Sequence, residues 1–445
     1  MKKILILGAG LSTASLIDYL LYHSTKHNWV VRVGDLSLET ASKKVKRHPN
    51  GTPFQFDSAD FEQLSIEVAN ADVVISMLPA FIHPIIAKEC IKQSKSMLTA
   101  SYVSESMSQL HVEAESKGIT LLNELGVDPG IDHMSAMKVI DEIKTRGGKM
   151  LSFISNTGGL IAPESDNNPW NYKFTWNPRN VVLAGQGVAQ YKEDGMIKII
   201  PYQRLFERTF PVEIKNLGEF EAYANRDSLS YQHVYSLEDI PSIFRGTIRR
   251  KGYSKAWNLF VQLGLTDDSY KLPNSHKLTY RSFLSSFLAN NPNLSVEERL
   301  KKEIPAANDP DIFNKLKWLG IFEEEAIPLT EASPAQILQH ILEKKWSLEP
   351  NDKDMIVMQH KFVYEINGKK EQITSSMVIK GKDQQHTAMA ITVGTPLAIA
   401  TKLLLTDSVA EKGVVVPTKP YLYLPILKEL ETYGITFVEE KTILE

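Results

Sequence analysis

The sequence is poor in cysteine, with Cys90 as the single cysteine among 445 residues. One cysteine cannot form a disulfide within the chain, so the fold depends on its core and its hydrogen bonds. The sequence also lacks a cluster of cysteine and histidine residues with zinc-site spacing, and we expect no metal site. A reducing compartment suits this composition best, and we therefore expect a cytoplasmic protein.

An excess of charge of one sign is also lacking. The 50 Lys and Arg residues against 53 Asp and Glu residues leave a formal net charge of −3. Neither this balance nor any run of basic residues provides the positive field that attracts nucleic acid. We expect no nucleic-acid partner.

Apolar runs long enough to cross a membrane are absent from the sequence. The longest, Val73 to Ala87, contains two prolines and a histidine, whereas a spanning helix needs about 20 predominantly apolar residues. The start of the chain imitates a signal peptide, but glycines soon interrupt its apolar segment and no cleavage site is convincing. Hydrophobic residues at 43% and charged residues at 23% are typical of a soluble protein. We expect no membrane partner.

The first 125 residues alternate short apolar segments with segments of helical periodicity. Repeated strand–helix units of about 25 residues predict a doubly wound parallel sheet. The predicted strands are Ile4–Leu7, Val30–Val33, Phe54–Phe56, Val73–Ser76, Met97–Ala100 and Thr120–Asn123. The predicted helices are Leu11–Tyr22, Ser37–Arg47, Phe61–Ala69, Pro84–Lys92 and Ser104–Lys117.

The character of the chain changes near residue 149. Residues 149–255 carry aromatic segments interrupted by proline and glycine, which predict a mixed sheet, and residues 255–345 have helical spacing. Further along, a β-hairpin is predicted over Met355–Tyr364 and Gln372–Ile379, followed by helices over Leu397–Leu405 and Tyr421–Tyr433. The fold class is therefore α/β, with a second α+β domain and a helical insertion.

A glycine turn follows the first predicted strand, in the segment Ile4-Leu-Ile-Leu-Gly-Ala-Gly-Leu-Ser-Thr. Gly8 permits a tight turn, and Gly10 lets the backbone approach a pyrophosphate at the start of the next helix. Thr13 stands where the dinucleotide-binding fingerprint has its third glycine, which weakens the match. The alternative interpretation is a glycine turn in an α/β fold that binds no nucleotide.

Two acidic residues follow the second and third predicted strands. Asp35 closes the second strand, where a carboxylate can accept hydrogen bonds from the adenine ribose and repel a 2′-phosphate. A cap for the following helix is the alternative role. Asp57 follows the third strand and is assigned to the adenine side, with a helix cap as an equal alternative.

A second polar constellation lies after the sixth predicted strand, in Asn123-Glu-Leu-Gly-Val-Asp-Pro-Gly-Ile-Asp-His-Met. Ligands of open α/β sheets bind at the carboxyl ends of strands, which makes Asp128, Asp132 and His133 candidates. By spacing alone the segment is also an ordinary turn before a helix. Arg245 and Arg249 lie further along, and arginines of this kind can hold a substrate carboxylate by two parallel hydrogen bonds.

Several long motifs together resemble the saccharopine reductase family, the glutamate-forming saccharopine dehydrogenases. The resemblance extends almost from end to end and is thinnest from about 265 to 350. Its motifs are Thr99-Ala-Ser-Tyr, Glu124-Leu-Gly-Val-Asp-Pro-Gly-Ile-Asp-His, the stretch 158–176, Asn225-Arg-Asp-Ser, Arg245-Gly-Thr-Ile-Arg, Met355-Ile-Val-Met-Gln-His and Ala390-Ile-Thr-Val-Gly-Thr-Pro.

The resemblance implies a domain organisation in which the chain returns to its first domain at the end. Residues 1–127 and 391–445 would form the Rossmann-type dinucleotide-binding domain. Residues 128–255 and 346–390 would form the α+β substrate and dimerisation domain, and residues 256–345 the helical insertion. A homodimer is expected on the same ground.

The resemblance also implies the reaction. Saccharopine, a secondary amine, would exchange a hydride with a nicotinamide at the α-carbon of its glutamyl half, and water would convert the imine into L-glutamate and 2-aminoadipate 6-semialdehyde. Tyr102 and Asp128 would be the candidates for the catalytic acid and base, and the alternative role of Tyr102 is to orient its neighbours by a hydrogen bond. The implied cofactor contacts are Gly8, Gly10, Leu11, Ser12, Thr13, Asp35, Asp57, Ser76, Leu78, Ser101, Leu125 and Val127. The implied substrate contacts are Ser101, Tyr102, Asp128, Arg226, Thr247 and Arg249.

Two residues depart from the pattern of the family. Relatives carry a cysteine where this chain has Thr157, and a threonine supplies no thiolate for proton transfer. Relatives that favour NADP carry an arginine just after the second strand, at the position of Leu36. With Asp35 before it, we expect NAD to be the cofactor, and NADP is the alternative.

Two other functions remain open on the sequence. One is a related dehydrogenase of the carboxynorspermidine type, which also joins an amine to a semialdehyde. The other is a non-catalytic protein that senses dinucleotides. The polar groups at the strand ends disfavour the sensor, and assays with each semialdehyde separate the two enzymes.

Overall fold

The computed structural model describes residues 1–406 and 408–444. The first 122 residues build six strands and six helices. The strands are β1 (Lys2–Leu7), β2 (Trp29–Asp35), β3 (Gly51–Gln55), β4 (Val73–Ser76), β5 (Ser96–Leu98) and β6 (Thr120–Leu122). The helices are α1 (Ala14–His27), α2 (Leu38–Val45), α3 (Phe61–Ala69), α4 (His83–Lys92), α5 (Glu105–Ser108) and α6 (His111–Ser116).

The middle of the chain builds a second layered unit. Its elements are α7 (Ile131–Thr145), β7 (Lys149–Ile161), α8 (Pro178–Val182), β8 (Val188–Glu193), β9 (Met196–Pro201), β10 (Thr209–Ile214), β11 (Gly218–Ala224), α9 (Tyr231–Val234) and β12 (Ser242–Arg250). The predicted helical insertion follows as α10 (Tyr253–Leu263), β13 (Leu272–Pro273), α11 (Tyr280–Ser285), α12 (Val296–Glu303), α13 (Pro310–Leu319), β14 (Glu331–Ala332) and α14 (Pro334–Trp346).

The last hundred residues return to both sheets. They form β15 (Asp354–Ile366), β16 (Lys369–Lys380), α15 (Ala388–Leu405), β17 (Gly413–Val415), α16 (Pro420–Leu430) and β18 (Val438–Leu444). The predicted hairpin is confirmed as β15 and β16. The helix predicted over Leu397–Leu405 begins nine residues earlier, at Ala388. The prediction started too late because Gly394 and Pro396, which usually interrupt helices, lie inside this helix.

The first sheet has the strand order β17-β6-β5-β4-β1-β2-β3, and all its pairings are parallel. The central strands are largely apolar and buried, as parallel strands covered by helices on both faces must be, whereas the edge strand β3 is partly exposed. This confirms the predicted doubly wound α/β fold. The order reverses between β1 and β4, so a ligand crevice is expected at the carboxyl ends of these two strands.

The second sheet is mixed, with the main order β10-β11-β12-β7-β15-β16-β18 and the hairpin of β8 and β9 attached to β12. Helix α7 packs against one face of this sheet. The last strand, β18, pairs with β16. Residues 438–444 therefore belong to the second sheet, in contrast to the expectation that 391–445 join the nucleotide-binding unit, and Glu445 lies outside the described residues. This exposed edge strand carries three charged residues in succession and no apolar alternation, so its sequence gave no signal of its partner.

One hydrophobic core joins the two sheets. It contains residues of β1, α1, α7, β15 and α15, so the two units share packed side chains across their junction. Helix α15 is long and apolar enough to span a membrane, but 72% of its 18-residue window is buried in the protein. A central core helix meets the same length and composition criteria, and α15 packs against α1 with Gly394 close to the backbone of Leu16.

Candidate active site

The glycine turn after β1 provides a cradle for a pyrophosphate. Gly8 has φ +99°, and a Cβ there would lie 2.7 Å from the carbonyl oxygen of Met77, so only glycine fits. A Cβ on Gly10 would meet no atom within 4 Å, because Gly10 faces open space at the start of the helical segment. Leu11 is exposed and Ser12 is partly exposed beside it. These residues fit the phosphates of a dinucleotide, whose negative charge the helix N-terminus favours.

Thr13 differs from its predicted role. Its side chain is buried, and its hydroxyl donates to the carbonyl of Gly10 over 2.8 Å. Thr13 therefore stabilises the turn from within and does not present its hydroxyl to a ligand. The prediction took its position in the motif for a ligand contact.

Asp35 lies at the carboxyl end of β2, as predicted, and connects the end of this strand to the glycine turn and to the start of α2. Its carboxylate accepts hydrogen bonds from the backbone N–H of Ala9 over 2.8 Å and of Ser37 over 3.0 Å. Next to it, Leu36 is exposed. Asp57 is exposed and accepts from the N–H of Ala59, so its side chain closes a turn of its own segment.

A hydrogen-bonded chain connects the ends of β4 and β5. The imidazole of His83 lies between Ser76 and Ser101, with Nδ1 2.8 Å from the Ser76 hydroxyl and Nε2 2.8 Å from the Ser101 hydroxyl. Ser76 and His83 are buried, whereas Ser101 is partly exposed. Burial lowers the pKa of His83 to about 4, so the ring is neutral at pH 7. Both serines were predicted from the sequence, whereas His83 was not, because no motif surrounds it.

The turn that follows β6 places Asp128 beside two donors. Asp128 accepts from the Tyr102 hydroxyl over 2.9 Å and from Arg245 Nη2 over 2.5 Å. The turn is tight at Gly130, which has φ +145° and packs so close to Gly126 that no side chain fits. The two predicted catalytic residues are therefore in direct contact.

Arg245 is the centre of this cluster, whereas the sequence suggested it only as a possible partner of a substrate carboxylate. Its guanidinium also donates to Asp132 over 2.9 Å and lies over the ring of Tyr231, 4.0 Å from the centroid. Arg245 and Asp132 are almost fully buried. Both bonds come from Nη2 of Arg245, which therefore orients Asp128, while Nε has no hydrogen-bond partner among the described residues.

The cluster continues into the core through His133. Its Nε2 is 2.7 Å from Glu124 and its Nδ1 is 2.7 Å from the Tyr235 hydroxyl. Although burial opposes the charge, the carboxylates of Asp132 and Glu124 raise the pKa of His133. Three carboxylates, those of Asp128, Asp132 and Glu124, thus surround Arg245 and His133, so acidic groups outnumber basic ones in the cluster.

The ionisation of the two predicted catalytic residues follows from this setting. Burial and the neighbouring Asp128 carboxylate raise the pKa of Tyr102 well above its ordinary value of 10.0. Tyr102 therefore stays protonated and acts as a donor, which removes the possibility that it serves as the base. Burial raises the pKa of Asp128, while Arg245 opposes the rise. Asp128 is the better candidate for a base near neutral pH.

Arg249 forms a second cationic position on the same face of β12 as Arg245, since side chains alternate along a strand. It is 4% exposed and is surrounded by the rings of Tyr172, Tyr223 and Tyr253. Its Nη1 donates to the carbonyl of Ile248, its own neighbour. Within residues 1–406 and 408–444, no carboxylate forms an ion pair with it. A buried cation without an acid partner is costly, so a ligand anion is its natural counterpart.

Two threonines lie between the arginines. Thr247 of β12 and Thr157 of β7 are register partners in adjacent parallel strands, so both side chains lie on this face. Thr157 is 8% exposed, and its hydroxyl has no hydrogen-bond partner in the described part of the chain. This face of the second sheet is therefore polar, with Arg245 at one end and Arg249 at the other.

Comparison with known proteins identifies the family. The saccharopine dehydrogenase NADP binding domain matches residues 4–122, and the saccharopine dehydrogenase C-terminal domain matches residues 126–435. The chain belongs to the saccharopine dehydrogenase family.

Relatives match over the whole chain. It is 35% identical to saccharopine dehydrogenase [NADP(+), L-glutamate-forming] of Saccharomyces cerevisiae, over 99% of both chains. It is 34% identical to the mitochondrial alpha-aminoadipic semialdehyde synthase of Mus musculus, over 99% of this chain. The chain spans 48% of that protein, about half its length. The solved apo structure of saccharopine dehydrogenase (L-Glu forming) from Saccharomyces cerevisiae has a TM-score of 0.89, covering 99% of this chain and 100% of the other.

Three of the predicted cofactor contacts are apolar residues whose side chains pack into the hydrophobic cores of the protein. Leu125 and Val127 are buried in the core that joins the two sheets, so their side chains position the turn that carries Asp128. Leu78 is partly buried against the core of the first domain. Among the residues that the structure describes, no group of three or more His, Cys, Asp or Glu side chains could hold a metal ion.

Arg226 lies outside the buried face and gives a test of its predicted role. Its side chain is exposed on a turn where its backbone has φ +49°. An exposed guanidinium contributes less than a desolvated one, so we expect Arg226→Ala to raise the KM for an acidic substrate about 10-fold, about 1.4 kcal/mol. Steady-state kinetics at saturating dinucleotide measure this. A change in kcat with an unchanged KM would contradict it.

Proposed function

We propose that this protein is a saccharopine dehydrogenase of the L-glutamate-forming type, with a role in lysine and 2-aminoadipate metabolism. The observation that supports it best is Arg249, a buried cation without an acid partner on the polar face that also carries Arg245. Saccharopine carries three carboxylates and one secondary amine. Arg249 suits one carboxylate, and the negative cluster around Asp128 suits the amine. The names of the fungal relatives support the same activity.

Atom balance fixes which carbon is oxidised. L-Glutamate keeps both its nitrogen and its α-carbon, so the hydride must leave C6 of the lysyl half and not the glutamyl α-carbon. The α-carbon expectation was wrong, because oxidation there would release 2-oxoglutarate and lysine. Loss of hydride from C6 leaves an iminium, water adds to it, and the carbinolamine breaks into the 6-semialdehyde and glutamate.

The side chains supply charge and proton transfer for these steps, while a bound nicotinamide dinucleotide supplies the hydride acceptor. The amine nitrogen must lose its proton before the hydride leaves, and Asp128 is the base assigned to it. Asp128 then passes this proton to solvent, to which its side chain is partly exposed, and is a carboxylate again when the hydride leaves. As the iminium forms, positive charge grows beside a cluster in which carboxylates outnumber cations, which lowers the barrier. Tyr102 stays protonated and holds Asp128 in place. After hydride transfer Asp128 takes a proton from the attacking water and returns it to nitrogen. It then accepts the proton of the carbinolamine hydroxyl as the C–N bond breaks and gives it to the leaving amine.

The protein binds a nicotinamide dinucleotide, and within that class we propose NAD(H). The fungal relatives are named for NADP(+), which favours NADP(H). Against this, Asp35 places a carboxylate at the end of β2, and the exposed Leu36 follows it where an arginine would neutralise a 2′-phosphate. Lys43 of α2 forms an ion pair with Glu39, so part of its charge is already balanced and it is less able to neutralise such a phosphate. A 2′-phosphate therefore meets a like charge.

The cofactor proposal predicts that kcat/KM with NADH exceeds that with NADPH by about 10- to 100-fold, about 1.4 to 2.7 kcal/mol. Leu36→Arg should narrow this ratio, since it adds a phosphate partner while Asp35 keeps its bonds to Ala9 and Ser37. Asp35→Ser with Leu36→Arg should narrow or reverse it. Equal or better kcat/KM with NADPH in the unmodified protein would contradict the proposal.

A homodimer in the cytoplasm remains our expectation for the assembly and location. Light scattering coupled to gel filtration measures the first, and a monomeric mass of 50.1 kDa would contradict it.

A further inference from the structure

The hydrogen-bonded chain of Ser76, His83 and Ser101 has a direction that its geometry determines. A neutral imidazole has one N–H and one bare nitrogen, so it donates to one serine and accepts from the other. His83 is neutral at pH 7 because it is buried without a carboxylate neighbour. Two arrangements exist, and they differ in which hydroxyl is left free to donate elsewhere.

Ser76 decides between the two. It is fully buried, and among the described residues the hydrogen bond of its hydroxyl is to His83 Nδ1. If Nδ1 carried the proton, the Ser76 hydroxyl hydrogen would be buried without an acceptor, which costs about 1–3 kcal/mol. If Ser76 donates to Nδ1, its hydrogen is satisfied and Nε2 carries the proton.

The second arrangement fixes Ser101. Nε2–H then donates to the Ser101 hydroxyl over 2.8 Å, with the Thr99 hydroxyl further away at 3.3 Å. Ser101 accepts from the ring, so its own O–H remains free to donate. Ser101 is partly exposed just beyond β5 and next to Tyr102, at the carboxyl ends of the strands where ligands of such sheets bind.

We infer that His83 is a positioning residue that makes Ser101 a hydrogen-bond donor toward an acceptor oxygen of the bound ligand. This inference rests on the proposed function only for the identity of the ligand. The acceptor is an oxygen of an amide or a carboxylate. The nicotinamide carboxamide and a substrate carboxylate both offer one, and binding measurements separate them.

The first test needs no catalytic activity. Nitrogen spectra of the protein labelled with ¹⁵N-histidine, with His83 assigned through the His83→Phe variant, report its tautomer directly. We expect the neutral form with the proton on Nε2. A proton on Nδ1, or a charged ring at pH 7, overturns the inference whether or not the protein oxidises saccharopine.

The second test is a double-mutant cycle with His83→Phe and Ser101→Ala in the full-length protein. We expect each single variant to lose about 10-fold in dinucleotide affinity or in kcat/KM for saccharopine, and the double variant to lose about as much as Ser101→Ala alone. A loss in the dissociation constant for NADH assigns the acceptor to the nicotinamide. A loss in kcat/KM alone assigns it to the substrate.

Controls separate positioning from a packing defect. Ser101→Thr keeps the hydroxyl and should retain most of the function, while His340→Phe in the helical insertion changes a histidine away from the crevice and should change neither quantity. The inference would be overturned if the double variant lost the product of the two single-variant losses in dinucleotide affinity or kcat/KM while the melting temperatures stayed unchanged. So would normal dinucleotide affinity and normal kcat/KM in folded His83→Phe.

Discussion

Asp128→Asn should lower kcat for saccharopine oxidation about 10²-fold, about 2.7 kcal/mol. The amide is nearly the same size, so it preserves the packing of the turn. It removes the proton acceptor and the negative charge that faces the developing iminium. Arg245 would remain paired with Asp132, which limits the loss of stability. Stopped-flow measurement of the rate of dinucleotide reduction at saturating substrate tests this.

The pH dependence of the same variant separates a base from a structural residue. The carboxylate form of Asp128 is the active form, so its contribution is present above its pKa and is lost as the pH falls through that raised value. The acidic limb of the kcat profile should therefore be absent in Asp128→Asn. Tyr102→Phe serves as the comparison, because it removes only an orienting hydrogen bond and should cost about 10-fold with the limb retained. An unchanged profile in Asp128→Asn would exclude Asp128 as the base.

Arg249→Met should lower kcat/KM for saccharopine by about 10²-fold or more, which is about 2.7 kcal/mol. Methionine keeps part of the apolar contact with Tyr172, Tyr223 and Tyr253 but cannot hold a carboxylate. The change removes a buried charge without leaving another unpaired, so the fold should persist or become slightly more stable. Most of the loss should fall on KM, and the affinity for the dinucleotide should barely change.

Arg250 provides a matched control for this measurement. It is the next residue of β12, so its side chain points to the other face of the sheet, over the ring of Phe220. Arg250→Met should therefore keep kcat/KM within about 2-fold. Similar losses in both variants would show that the effect arises from the strand and not from a carboxylate contact of Arg249.

The sequence predicted local features of this protein well. The strand Val73–Ser76 and the helix Phe61–Ala69 have the predicted bounds, because periodicity and punctuation act over a few residues. The glycine turn and the turn at Asp128 also lie at strand ends as predicted. Each of these follows from residues that are neighbours in the chain.

The contacts that define the site could not be predicted in this way. Arg245 is 117 residues from Asp128 in the chain, and only the packing of the second sheet against α7 brings them together. His83 lies in an ordinary helix start, and its partners come from two other segments. The strand β18 has no apolar alternation, so its pairing depends on the sheet edge that receives it. The resemblance to a known family indicated Tyr102 and Asp128, and the structure added the cations that control them.

The most direct test of the proposed function is to incubate the protein with saccharopine and NAD⁺ in aqueous buffer near neutral pH and to identify the products. Absorbance at about 340 nm follows the reduced dinucleotide, and mass spectrometry identifies the products. We expect L-glutamate and 2-aminoadipate 6-semialdehyde in equal amounts with the reduced dinucleotide. Lysine and 2-oxoglutarate as products, or no turnover with either NAD⁺ or NADP⁺, would contradict the proposed function.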